Sequence, residues 1–357
     1  SQVTPFLEQA LRSELARFGT TEFTKYDGLI EDPELLDRLN RRLFPVQPTL
    51  AATRLEAYAH CPFGFLVSCV YGLDPLEEPE RVAALEAMHR GALIHQILFR
   101  FFSQITSADD LPVRETQWPA LEAIARDCFD QFEHTHAVGY PLTWLVAQQR
   151  ILDDLRGLLI HEAKAEDGYR PALFEFRFGM GPHDDEESEA STRRRVLLEL
   201  EDGTKFGLRG KIDRVDINEA EKTCRVFDYK TGHNTISKKA AFGGGTMLQR
   251  PIYILAAEQL MEGVTPVSAA LYYVSRAAGF AQREFTRADW EKKRKTLQRI
   301  VGTLYESIRA GRFCPCGDTK QSACCGPHAP GGAAAFEGFK WQADERMRSF
   351  LDLREIP

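Results

Sequence analysis

No stretch of these 357 residues approaches the roughly 18–20 uninterrupted apolar positions that a membrane helix needs. No charged n-region, apolar h-region and small-residue cleavage site stand at the start, so export is not expected and the cytoplasm is the expected compartment. No G-x-x-x-x-G-K-[ST] loop occurs anywhere, which excludes a P-loop ATPase motor within the chain. There is no repeat at a fixed period, so solenoids and propellers drop out as well. Positive charge is scarce: 45 Lys and Arg against 52 Asp and Glu leave a net charge of −7. A nucleic-acid binder usually carries a basic footprint, although local patches matter more than the sum. What remains is ordinary for a globular chain, with 43% hydrophobic and 27% charged residues. The length suits one elaborated domain or two. Eight cysteines without signs of secretion point to metal or thiol chemistry before disulfides.

The chemistry concentrates between Lys205 and Gly232, KFGLRGKIDRVDINEAEKTCRVFDYKTG, which reads as a β-hairpin. Phe206, Leu208, Gly210 and Ile212 alternate, a polar turn covers Asn218 to Lys222, and a second run spans Cys224 to Tyr229. Period-2 geometry puts Asp228 and Lys230 on one face of the second strand and turns Tyr229 away. A hairpin closing near Ala220 brings Asp213 within a residue or two of Asp228. Two carboxylates held together repel unless a cation sits between them, and a hard divalent ion is the usual answer. Lys230 could orient a water there or neutralise developing charge. A bare D-x-K, by contrast, is more often a solvated Asp–Lys pair.

These residues resemble the RecB-like branch of the PD-(D/E)XK nuclease superfamily, whose G-x-I/V-D-R-x-D and D-Y-K-T-G strands read GKIDRVD and DYKTG here. RGALIHQILFRF, Arg90 to Phe101, resembles the family helix that carries a metal-side histidine, here His95. LQRPIYILA, Leu248 to Ala256, resembles its Q-x-x-x-Y helix, here Gln249 and Tyr253. Upstream, TRLEAYAHCPFGFLVSCVYGLDPLEEP is similar to the lead-in of AddB-type helicase-nuclease subunits, and the likeness runs from about Tyr26 to about Gly326. Four pieces in the right order are far more specific than any one.

The resemblance implies an α/β fold: a restriction-endonuclease-like central mixed sheet flanked by helices, enlarged by a helical N-terminal segment and a helical insertion. The expected organisation is a helical lead-in over residues 1–50, a nuclease domain over 51–326 with its insertion near 106–168, and a tail over 327–357. It also implies Mg²⁺ or Mn²⁺ held by Asp213, Asp228, the Tyr229 carbonyl, His95 and Glu175. Lys230 would position the attacking water while Gln249 and Tyr253 hold the strand. The implied function is DNA cleavage in end processing and recombinational repair, in partnership with a helicase-like polypeptide. Because the first residues run straight into a helix without an initiator Met, the sequence reads as the nuclease end of such a polypeptide. A single strand fed by a motor is then the expected substrate.

Taken in order, the chain predicts an amphipathic helix over Ser1–Phe18 and a short one over Pro33–Leu43. Thr53 reads as the cap of a helix ending at Pro62, followed by a helix from Phe63 to Tyr71 that Gly72 stops. A long helix from about Glu80 to Ile105 carries His95. A lone histidine is more often a plain polar residue, and only the R-G-x-x-x-H pattern favours a ligand. Trp118–Thr135 and Leu142–Ala165 predict two further helices, with Trp144, Leu145, Ile151, Leu152, Leu155 and Leu159 as core. Ala172–Phe178 reads as the first strand. Glu175 on it is either an edge residue or an acid beside the metal.

His183–Ala190 reads as an acidic loop, balanced by Arg193, Arg194 and Arg195 before a strand over Val196–Leu200. Ser237–Gly245 reads as a mobile Lys- and Gly-rich loop, Met247–Met261 as a helix and Ala269–Tyr273 as a buried strand. Arg287–Arg309 is a helix whose Lys292, Lys293, Arg294, Lys295 and Arg299 make the best electrostatic landing strip for DNA.

Relatives of the AddB type often hold an iron–sulfur cluster, and Cys61 matches its first cysteine. The tail offers Cys314, Cys316, Cys324 and Cys325 in a C-x-C-x7-C-C spacing that departs from the family's C-x2-C-x5-C. A site from Cys61, Cys314, Cys316 and Cys324 would suit a cluster or zinc, and the spacing predicts at most a fragile one. Cys69, Cys128 and Cys224 read as small core residues. Two alternatives to a nuclease stay open: a catalytically silent DNA-binding scaffold, which the acidic charge favours, and a cluster-bearing interaction subunit.

Overall fold

The computed structural model describes residues 4–45, 47–73, 83–107, 110–180, 191–234, 240–315 and 334–357, the side chains of the last segment from 339 onward. Its centre is one long strand, β4 (Lys205–Asn218), paired along both edges. The first half pairs with β1 (Thr49–Ala51, parallel) and β3 (Val196–Glu199, antiparallel). The second half pairs antiparallel with β2 (Arg170–Phe178) and β5 (Thr223–Lys230). β6 (Thr265–Tyr273) runs parallel to β5, and β7 (Gln282–Thr286) closes that side antiparallel. The result is a seven-stranded mixed sheet with helices on both faces.

Some helices begin where the chain supplies acceptors for orphan N–H groups. α1 (Pro5–Phe18) precedes α2 (Pro33–Leu43), and α2 is capped by Asp32, which accepts from Glu34 N at 2.9 Å and Leu35 N at 3.0 Å. α3 (Ala52–His60) leads to the short α4 (Pro62–Phe65) and a π-helical turn over Leu66–Val70. α3 joins α8 (Gln249–Leu260) and α9 (Arg287–Arg309) over one sheet face, around Phe206, Leu208, Ile252 and Leu297. The opposite face carries α5 (Ala87–Ser107), α6 (Trp118–Thr135) and α7 (Pro141–Glu162). β5 is the wall between the two: Cys224 and Val226 pack into the first cluster, Phe227 and Tyr229 into the second, as alternation along a strand requires.

Several expectations are corrected. β1 precedes Ala172–Phe178, so the latter is the second strand. Thr53 caps nothing, because β1 runs directly into α3 and the extended Ala51 occupies the cap position without a side-chain bond. The long helix starts at Ala87, and residues 83–86 ahead of it are not helical. Leu145 is 60% exposed, whereas Trp144, Ile151, Leu152, Leu155 and Leu159 beside it are buried core as expected; on α1, Phe6, Leu7, Leu11 and Leu15 lie open. Gly243–Gly245 form a tight turn: Gly244 N donates to Ile356 O at 2.8 Å and its φ of +66° suits glycine. His183–Ala190, Lys238 and Lys239 lie outside the described residues.

The segments at either end of the chain pack against each other. Phe23 N donates to Asp344 Oδ2 at 3.0 Å, and a buried ion pair joins Lys340 Nζ to Asp27 Oδ2 at 2.9 Å. Lys340→Met would leave the Asp27 carboxylate to Thr24, which donates through N and Oγ1 at 2.8 Å each, and to Arg17 at 3.9 Å. Removing one partner of a buried pair is expensive, so a loss of about 2–3 kcal/mol and a drop in Tm of about 3 °C are expected. An unchanged Tm would show that the pair adds nothing.

Candidate active site

Three neighbouring strands each deliver a carboxylate at one level of the sheet. β2 places Glu175 between the register pairs Phe174↔Arg214 and Phe176↔Ile212, beside Asp213 of β4. The β4–β5 register, with Arg214 opposite Phe227, carries Asp213 to Asp228. Tyr229 N donates to Asp213 Oδ2 at 2.7 Å, which fixes that carboxylate against β5. Glu175 has φ +49°, a costly left-handed conformation for a non-glycine residue, and its side chain is ion-paired to Lys211.

Helices on both sheet faces complete the cleft. From α5, His95 sets Nδ1 3.3 Å from Asp213 Oδ1 and Nε2 3.2 Å from the Tyr229 carbonyl. From α8, the Gln249 amide donates to Asp228 Oδ1 at 2.9 Å and accepts from Lys230 Nζ at 2.9 Å. Lys230 Nζ also lies 2.6 Å from Asp228 Oδ2. One turn on, the Tyr253 hydroxyl donates to the Lys211 carbonyl at 2.7 Å, so it braces β4 from below. Asp213, Asp228, Lys230, His95, Gln249 and Tyr253 all line one cleft of about 540 Å³.

The electrostatics follow from burial among like charges. Burial, then the charge of Asp213, pushes the Asp228 carboxyl up to about 6, against the pull of Lys230. Burial alone would lower the His95 imidazole, but the hydrogen bond and charge of Asp213 outweigh it and raise it. For Lys230, burial likewise lowers and the Asp228 charge raises, with a net rise that keeps it an ammonium. Ligand atoms of His95, Glu175 and Asp213 lie within 4.8 Å of one another. Oxygen donors with a single imidazole are the set that hard or borderline divalent cations take. Asp228 stands outside that trio yet lines the cleft together with His95 and Asp213.

Sequence reasoning passed over four residues here. Arg177, Arg209 and Lys211 add a cationic wall to the cleft, and the alternation of β2 and β4 was the signal for them. Glu56 of α3 reaches the start of α8, a contact no local pattern announces. On α9, Lys293 is tied to Asp289 at 2.9 Å and the Arg294 guanidinium lies 5.3 Å from the Trp290 ring, while Lys292, Lys295 and Arg299 are exposed.

Among the expected cluster ligands, Cys61 and Cys314 are both buried, and Cys61 Sγ accepts from Gly64 N at 3.2 Å. Burial pushes the Cys314 thiol well above its ordinary range. Cys316, Cys324 and Cys325 lie outside the described residues. Cys128 and Cys224 are buried, as small core residues should be, and Cys69 is half-buried.

A family description of the PD-(D/E)XK nuclease superfamily matches residues 49–327. The chain is 26% identical over 291 residues to an ATP-dependent helicase/deoxyribonuclease subunit of Clostridium novyi, covering 76% of this chain and 24% of that protein. It is 30% identical over 205 residues to the like-named protein of Alkaliphilus oremlandii, 54% of this chain and 16% of that one. The like-named protein of Clostridioides difficile is 28% identical over 214 residues, 58% and 17% of the two chains. The chain thus spans about a fifth of the length of the relatives it matches.

Proposed function

The chain belongs to the PD-(D/E)XK nuclease superfamily, and we propose from that premise that it is a metal-dependent deoxyribonuclease acting on single-stranded DNA in the cytoplasm. The observation that carries the reading is the bonded set Asp228–Lys230–Gln249 lying against Asp213 and His95 in one cleft. Asp213, Asp228, His95, Glu175 and the Tyr229 carbonyl would hold the cation, Mg²⁺ or Mn²⁺. Their hard oxygen donors, which repel one another without it, fit such an ion. When bound, the ion supplies Lewis acidity toward the scissile phosphate and neutralises charge.

The chain's own groups do the rest. Lys230 donates to the attacking water and steadies the charge that grows on the phosphate oxygens. Gln249 holds the Lys230 ammonium at its place by accepting from it and anchors Asp228 by donating to it. Tyr253 fixes the β4 backbone at Lys211. Arg177, Arg209 and Lys211 face the cleft that the strand enters, and they give the acidic chain a local basic surface.

DNA end processing for recombinational repair, beside a helicase-like partner, is the setting we propose, in line with the names of the relatives. A scaffold role alone would not require the Lys230–Gln249–Asp228 arrangement. A strand delivered by a motor needs little grip of its own, so slow, ATP-independent cleavage of single strands is expected. Between 50 and 200 mM salt the rate should fall by roughly tenfold, as two or three phosphate contacts imply. Stimulation by ATP, or tight binding to duplex ends, would sink this picture. At the cysteines, anaerobically purified protein should contain substoichiometric iron. About four irons per chain, with a visible absorption band that Cys61→Ser removes, would show a full cluster instead.

A further inference from the structure

α8 starts without a cap of its own: Leu248 stands at the cap position and makes no side-chain bond to the first turn. The acceptor comes from elsewhere in the fold. Glu56, half-buried on α3, accepts through one carboxylate oxygen from Leu248 N at 2.5 Å and from Gln249 N at 2.9 Å. A carboxylate at that place satisfies two orphan donors and faces the positive end of the helix dipole. The residue held this way is the one whose amide joins Asp228 to Lys230.

We propose that Glu56 is a positioning residue that fixes Gln249, and through it the Lys230 ammonium, by capping α8 across the fold. This rests on reading the cleft as a hydrolytic centre. Without the cap the first turn of α8 loosens, and Gln249 no longer places both partners at once. Burial pushes the Glu56 carboxyl up to about 7, with the two N–H bonds pulling it down, next to Lys230 and Asp228. The cap is thus held in the same electrostatic neighbourhood as the groups it serves.

The test compares the parent with Glu56→Ala, Glu56→Asp, Gln249→Ala and the Glu56→Ala/Gln249→Ala pair. Cleavage of a labelled single-stranded oligonucleotide with Mn²⁺ is measured, alongside Mn²⁺ calorimetry and thermal melting. Glu56→Ala and Glu56→Asp are expected to lower kcat about tenfold with KM within about twofold, the mark of an effect confined to the transition state. Mn²⁺ affinity should stay near that of the parent. The double variant should be no slower than Gln249→Ala, because the two act as a unit. Should Glu56→Ala fail to fold, Glu56→Asp decides, since it keeps the charge and moves the acceptor. A parental kcat in Glu56→Asp, a lowered Tm without a kcat effect, or independent multiplying losses in the double variant would each overturn the inference. A parent that cleaves nothing with Mg²⁺ or Mn²⁺ would overturn the nuclease reading, and this inference with it. A cleaving parent with unaltered variants would overturn this inference alone.

Discussion

Lys230→Ala should cut the cleavage rate by about 10²-fold or more while Mn²⁺ affinity stays within a few-fold of the parent. The ammonium is half-buried between Asp228 at 2.6 Å and Gln249 at 2.9 Å, so it is aimed at the cleft without belonging to the anionic donor set. Removing it takes away one positive group that faces the phosphate oxygens and leaves the carboxylates in place. Truncation also frees Gln249 Oε1, but the amide still donates to Asp228 Oδ1 at 2.9 Å. The measurement is single-turnover cleavage of a labelled oligonucleotide, with calorimetry on the same samples. A variant as fast as the parent would remove Lys230 from the chemistry.

Asp228→Asn acts on the other side of the same pair. Converting an anionic donor to a neutral one should weaken Mn²⁺ binding by at least about tenfold. The variant also predicts a change in stability without metal. Because the folded Asp228 carboxyl is raised to about 6, its protonated form contributes stability that is present below the ordinary carboxylate range and lost as pH rises through about 6. Metal-free parent should lose about 1 kcal/mol between pH 5 and pH 7 that Asp228→Asn does not lose. Melting curves at the two pH values, with and without Mn²⁺, check this. Equal Mn²⁺ affinities would move the cation elsewhere, and a parent–variant difference in Tm that ignores pH would mean Asp228 titrates normally.

The hairpin was legible in the sequence because both of its signals are local. Alternation from Phe206 to Ile212 and the polar turn after Asn218 set the register of Asp213 against Asp228 to within a residue or two. α9 and α6 were legible to the residue, since apolar periodicity marks both and a Thr286 cap also marks the start of α9. His95 was visible only through family resemblance: its meaning lies in Asp213 and the Tyr229 carbonyl, which no helical pattern encodes. The three-residue β1 was missed because so short a run has no measurable period. Neither the positive φ of Glu175 nor the reach of Glu56 to α8 leaves a trace in neighbouring residues. The Lys340–Asp27 pair joins positions 313 residues apart, beyond any reading of spacing.

His95 belongs to the layer built by α5, α6 and α7, whereas Glu175, Asp213 and Asp228 belong to the strands that layer covers. Any cation gripped by both is therefore a rivet between them. Its binding free energy adds, by mass action, to the cohesion of the two layers as well as to the chemistry of the cleft. Loosening the layer withdraws a ligand, and withdrawing the ion loosens the layer. Occupancy of the cleft and solvent protection of the α5 amides become two readings of one equilibrium.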